Sequence, residues 1–175
     1  MRVLLAGGEV RSLVSEAGSA LLPFFSMADA CALRQVCQEL RAVVREFAWW
    51  DKETVIKGSI AAWRASFPRA RCANVHSVGP QGRRAPLHDA DFVHFEGLRE
   101  LSVAGRGDFT GAAFAHLRGI HTLCMLNCSQ LTVAAAAFEP LRGIALLDVR
   151  WCSAATVAGA QGLAQQGTVI MRGGK

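Results

Sequence analysis

The sequence predicts an α/β protein in which a helical block over residues 9–52 and a connecting helix within 53–69 precede a stack of parallel strands over 70–175. Three observations lead there. A short phrase recurs: Phe95-Glu-Gly-Leu98-Arg-Glu-Leu101-Ser-Val103, then Leu117-Arg-Gly-Ile120-His-Thr-Leu123-Cys-Met125, then Leu141-Arg-Gly-Ile144-Ala-Leu-Leu147-Asp-Val149. Within each copy the apolar residues are spaced by three and then by two. Spacing two is the period of a strand, so Leu101/Val103, Leu123/Met125 and Leu147/Val149 should face one core and the residues between them water. Upstream, Ala30, Leu33, Val36, Cys37, Leu40, Val43, Val44, Phe47 and Trp50 recur at three and four, the period of helices with one buried face.

Taken in order, Ser26-Met-Ala-Asp29 has the form of a capping box and should start a helix. Ile60 to Phe67 reads as a connecting helix stopped by Pro68, with Trp63 and Phe67 on one face as core anchors. The breaker-rich segment from Gly79 to Pro86 reads as a long loop and a second candidate contact site. After each strand comes a small-residue helix candidate: Thr110–Phe114, Thr132–Phe138 and Thr156–Leu163, each with a threonine suited to cap it. Partial copies of the unit flank the three, at Ala70 to Val75 and at Thr168 to Met171. A unit of this kind cannot bury its apolar face alone, so about three to five of them must stack.

The period matches leucine-rich repeats, and the residues after the strands narrow the match. Ile120-x-x-Leu123-x-Met125-x-x-Cys128-x-x-Leu131 resembles the cysteine-containing class, and Ile144-x-x-Leu147-x-Val149-x-x-Cys152 repeats it, with Arg106 where the first copy should carry cysteine. This resemblance implies a short right-handed solenoid with its helices on the convex side. The helical block in turn resembles the F-box, through Leu13-Val-Ser-Glu16, Ala20–Phe25, Asp29, Leu33, Val36-Cys37, Leu40-Arg41, Val44 and Trp49-Trp50. Val14 stands where that family has proline, and Pro23 falls where it continues its first helix.

Composition sets limits on function. Half of the 175 residues are hydrophobic, and 19% are charged, enough for a buried core. Six cysteines at irregular spacing behind a start unlike a signal peptide read as reduced intracellular thiols. Trp151 to Met171 is free of charge, but its glutamines and glycines leave too little hydrophobicity for a membrane span. The net charge of +5 is concentrated between Glu53 and Asp89, a stretch without acids that holds Lys57, Arg64, Arg69, Arg71, Arg83 and Arg84. With no nucleic-acid-binding fold beside it, this reads first as solvated surface. His116, His121, Cys124, Cys128 and Cys152 match no zinc spacing, no nucleophile motif is present, and Gly105-Arg-Gly107 lacks the rest of a phosphate loop.

The expected function is therefore recognition without catalysis, metal or cofactor. By resemblance, Leu13, Glu16, Leu33, Val36, Cys37, Leu40, Val44 and Trp50 would dock on a Skp-type adaptor of a cullin ubiquitin ligase. An unidentified target protein would lie on the outward strand positions Glu100, Ser102, Thr122, Cys124, Leu126, Leu146, Asp148 and Arg150. That role implies the cytoplasm or nucleus, including a host cell's if the chain is viral or bacterial. The alternatives are a free-standing repeat scaffold and, least favoured, a nucleic-acid binder using residues 57–84.

Overall fold

The computed structural model describes residues 16–17, 20–77 and 86–173. Leu22–Phe24 form a short 3-10 turn, followed by α1 (Met27–Leu33), α2 (Gln38–Glu46) and α3 (Ile60–Ser66). The box at the start of α1 forms reciprocally: Asp29 N donates to Ser26 Oγ (3.2 Å) and Ser26 N to Asp29 Oδ2 (3.0 Å). Pro23 fits because the 3-10 turn has it among its first residues, where no backbone donor is lost.

The apolar period of residues 30–50 is not one continuous helical face. Val36 and Cys37 lie between α1 and α2; Val36 is 70% exposed, and the Cys37 thiol caps α2 by accepting from Leu40 N (3.4 Å). The buried tryptophan is Trp49, 1% exposed, whereas Trp50 is 52% exposed. The reason is local. Helix α2 ends at Phe47, whose backbone is extended, so side chains beyond it alternate sides instead of turning by a third of a circle. Trp49 points inward, donates its ring N–H to Val44 O (2.8 Å), and packs edge-on against Phe47 and Phe67.

Five three-residue strands follow: β1 (Cys72–Asn74), β2 (Glu100–Ser102), β3 (Thr122–Cys124), β4 (Leu146–Asp148) and β5 (Val169–Met171). They form one parallel sheet in sequence order, with Leu101, Leu123 and Leu147 in register. These leucines and the later positions Val103, Met125 and Val149 are buried. The recurring phrase has a direct geometric cause. Leu98 N, Ile120 N and Ile144 N donate to Phe95 O, Leu117 O and Leu141 O at 3.0–3.1 Å, closing a four-residue turn before each strand. The third residue of each turn, Gly97, Gly119 or Gly143, has φ between 76° and 84°, as a type II turn requires.

The segments between strands are mostly 3-10 helices: Asp89–Phe95, Gly111–Leu117 and Ala135–Leu141; only the last connection is an α-helix, α4 (Ala154–Ala164). Thr110 caps its helix as expected, through Ala112 N, but Thr132 does not, because the helix begins only after Ala134 and runs through Pro140. A 3-10 helix rises about 2.0 Å per residue against about 1.5 Å in an α-helix, so the same few residues reach further back toward the next strand. Neighbouring units also approach closely: a side chain at Gly111 would place its Cβ 2.6 Å from that of Ala137. Phe92, Phe109, Phe114 and Phe138 stack in succession from unit to unit, with centroids 4.9–6.4 Å apart. One continuous core runs from Leu22 to Leu163.

Candidate interaction surfaces

The outward face of the sheet is set by strand register. Glu100, Thr122 and Leu146 form one row across β2, β3 and β4, and Ser102, Cys124 and Asp148 form the next. Leu126 and Arg150 continue the alternation just past β3 and β4, and the corresponding Ala104 past β2 is buried. The row is less open than alternation implies. Glu100 is held by Lys52 (2.6 Å), and Asp148 is only 6% exposed. Arg150 folds back over Asp148, donating from Nε (2.9 Å), Nη2 (2.7 Å) and its main-chain N (3.1 Å), while the Cys124 thiol approaches the same carboxylate at 3.8 Å. Burial raises the Asp148 pKa, yet the hydrogen bonds and charge of Arg150 outweigh it and hold the carboxyl below its ordinary range. Burial pushes the Cys124 thiol up.

The positions expected to contact an adaptor divide between core and surface. Leu13 lies outside the described residues. Val44 is fully buried, Leu33 and Leu40 are half-buried, Cys37 serves as a cap, and Glu16, Val36 and Trp50 are exposed. The structure adds residues that the periodicity did not single out. Leu21, Phe24 (85% exposed) and Phe25 present large apolar side chains to solvent. Phe24, Phe25 and Trp50 line one groove of about 440 Å³ with Pro23 and Phe47. A paired aromatic after proline was the available signal. A second groove, of about 750 Å³, lies between α1 and α3 against Met27, Ile56, Trp63 and Phe67.

The cysteines past the strands have a structural use. Cys128 Sγ donates to Val103 O (3.3 Å) and Cys152 Sγ to Met125 O (2.9 Å), each reaching the carbonyl that ends the preceding unit's strand segment. Arg106, in the equivalent place, does the same with Nε to Val75 O (2.9 Å) and is anchored by Asp108 (3.1 Å). A guanidinium donor thus replaces a thiol donor in the first copy. The hydrogen bond with Cys152 and then burial push the Cys128 thiol well up; burial raises Cys72 to about 11. His116 is bonded to Glu96 (2.7 Å) and His121 to Thr122 (3.1 Å). Among the described residues no group of three His, Cys, Asp or Glu is placed to hold a metal ion, and no helix is long and apolar enough to cross a membrane. No protein-family model matches the chain, and no curated protein matches it in sequence.

Proposed function

We propose that the chain is a noncatalytic interaction adaptor of the F-box and leucine-rich-repeat kind. Residues 9–52 would dock on a Skp-type adaptor of a cullin ubiquitin ligase, 53–69 connect, and the solenoid over 70–175 present a target protein. The observation that carries the reading is where apolar surface is left uncovered. Of the eight large hydrophobic residues exposed among the described ones, Leu21, Phe24, Phe25, Val36 and Trp50 all belong to the helical block. Clustered apolar side chains at a groove are what a protein partner covers. The repeat part of the reading is supported by parallel strands in chain order, by the turn glycines, and by the donors of Cys128 and Cys152 between units.

A second reading is favoured by one observation. Arg71 N donates to Trp49 O (2.7 Å) and Ile56 N to Asn74 O (2.8 Å), so residues 49–56 cover the free edge of β1. On that basis the block is a cap on a free-standing scaffold. A pull-down of the full chain with immobilised Skp-type adaptor separates the two. The adaptor reading expects capture of the wild type and loss with Phe24→Ser and Trp50→Ser, both exposed and without a structural load. Absence of capture leaves the scaffold.

A further inference from the structure

Most acidic side chains in this fold are engaged internally, while several arginines have no ion pair among the described residues, and three of those lie together. Glu46, Glu139 and Asp148 hold Arg69, Arg142 and Arg150 respectively. Arg71, Arg99 and Arg118 are exposed, and none has an ion pair among the described residues. Their placement is not scattered. Arg71 and Arg99 immediately precede β1 and β2, and Arg118 sits in the type II turn before β3, so all three occupy the edge where strands begin. Arg99 N donates to Arg71 O (2.7 Å) and His121 N to Arg99 O (2.9 Å), making Arg71, Arg99 and exposed His121 a column across three units. Arg64 joins its end by donating to Ala70 O (3.3 Å).

Neighbouring strands are about 4.8 Å apart, so this column is about 10 Å long. An extended peptide advances about 3.4 Å per residue, and side chains two apart on one face are about 7 Å apart. Two carboxylates so spaced fit within the roughly 10 Å of the column, with the long arginine side chains spreading from the strand spacing to meet them, and guanidinium groups bind carboxylates in pairs of hydrogen bonds. Single-stranded nucleic acid fits less well, because it is held by aromatic stacking as well as charge. The exposed aromatic residues are elsewhere: Phe24, Phe25 and Trp50 on the helical block, and Trp151 beyond the opposite end of β4.

We propose that this edge binds an extended acidic peptide of a protein partner, with Arg71 and Arg99 as central contacts and Arg118 beside them. The proposal stands whether or not the helical block docks on a ligase adaptor. Its test is fluorescence anisotropy of a labelled oligoglutamate peptide titrated with the full chain, beside labelled oligothymidine and a short DNA duplex. Binding that weakens with salt is expected for the wild type. The triple variant Arg71→Ser, Arg99→Ser, Arg118→Ser should bind about tenfold more weakly, as the loss of several exposed charge contacts implies. A control triple, Arg45→Ser, Lys57→Ser, Arg172→Ser, lowers net charge equally and should stay within about twofold. If the arginine triple melts early, Arg99→Ser alone should still weaken binding about threefold. No binding by the wild type overturns the proposal. So does equal loss in both triples, or nucleic acid bound more tightly than peptide through the same arginines.

Discussion

Replacing Leu123 by alanine tests the register on which every surface assignment depends. Leu123 is wholly buried in β3 and stands in register between Leu101 on β2 and Leu147 on β4, themselves buried. Three carbons are removed, a loss of about 2.4 kcal/mol in transfer free energy at about 0.8 kcal/mol each. Neighbours on both sides are fixed by main-chain bonds to adjacent units, so the space closes poorly. A cavity contribution therefore adds to the transfer loss, and the expected total is about 3–5 kcal/mol. Cys124, the next residue, faces the other side of the sheet and is half-buried, so Cys124→Ser should cost about 1 kcal/mol or less. Urea melts followed by tryptophan fluorescence measure both, with the slope unchanged if the unfolded state is unaffected. If Cys124→Ser destabilises as much as Leu123→Ala, the alternation is wrong and the outward rows fail with it.

Asp148→Asn should destabilise by about 1–3 kcal/mol in the same melts, because it strips the carboxylate on which Arg150 and Cys124 converge. Strand alternation alone would have placed Asp148 at a tolerant surface site. Acid titration of the melting midpoint should show the linked effect. Asp51 and Asp148 both have carboxyls below their ordinary range; for Asp51 burial opposes the shift but hydrogen bonds from Thr54, Met27 and Glu53 outweigh it. Their contribution is present above about pH 4 and lost as pH falls through the lowered folded values, so Asp51→Asn should flatten the acid limb of the curve. Arg106→Ala should cost about 1–3 kcal/mol by leaving Val75 O without its donor and Asp108 with only the Leu87 N–H, and Arg106→Cys should recover part of it. Gly119→Ala should cost about 1–2 kcal/mol through its φ of 77° alone, since a methyl there meets open space.

The repeat was legible because turn, strand and core demands fall on the same residues in every unit. A positive φ needs glycine, and a buried strand position needs an aliphatic residue, so Gly119, Ile120, Leu123 and Met125 state their own positions. The terminal strands were legible in weaker form: β1 carries only the strand half of the signal, with Ala73 and Val75 buried and no turn glycine before it, and β5 has Gly167 at φ 87° but no fully buried aliphatic residue. The helical block was less so, since after Phe47 a helical period selects Trp50 and an extended alternation selects Trp49, and both are tryptophan; only the end of α2 at Phe47 assigns the inward place to Trp49. Burial of Asp148 was not legible, because it depends on Arg150 turning back within two residues, and alternation describes backbone direction, not side-chain return. The 3-10 character of the connections escaped for a related reason: alanine-rich sequence favours an α-helix locally, while the distance back to the next strand is a property of the whole unit.

The bonds between residues 49–56 and β1 bear on how the two surfaces should be tested. Trp49 contributes its carbonyl to Arg71 and its ring to a cluster with Phe47 and Phe67, so the helical block and the first strand share both main-chain pairing and core. Cutting between them would leave β1 with an unpaired edge, and an unpaired edge in a parallel sheet invites pairing with other chains. The cut would also uncover Ile56, Trp63 and Phe67, all buried in the intact chain. An isolated block would thus present new apolar surface able to capture proteins without specificity. An isolated stack would present a new edge beside Arg71 and distort the column proposed to bind acidic peptide. The partner binding proposed at Phe24 and Trp50 and the peptide binding proposed at Arg71 and Arg99 are therefore separable by exposed point substitutions in the full chain, and not by dissection.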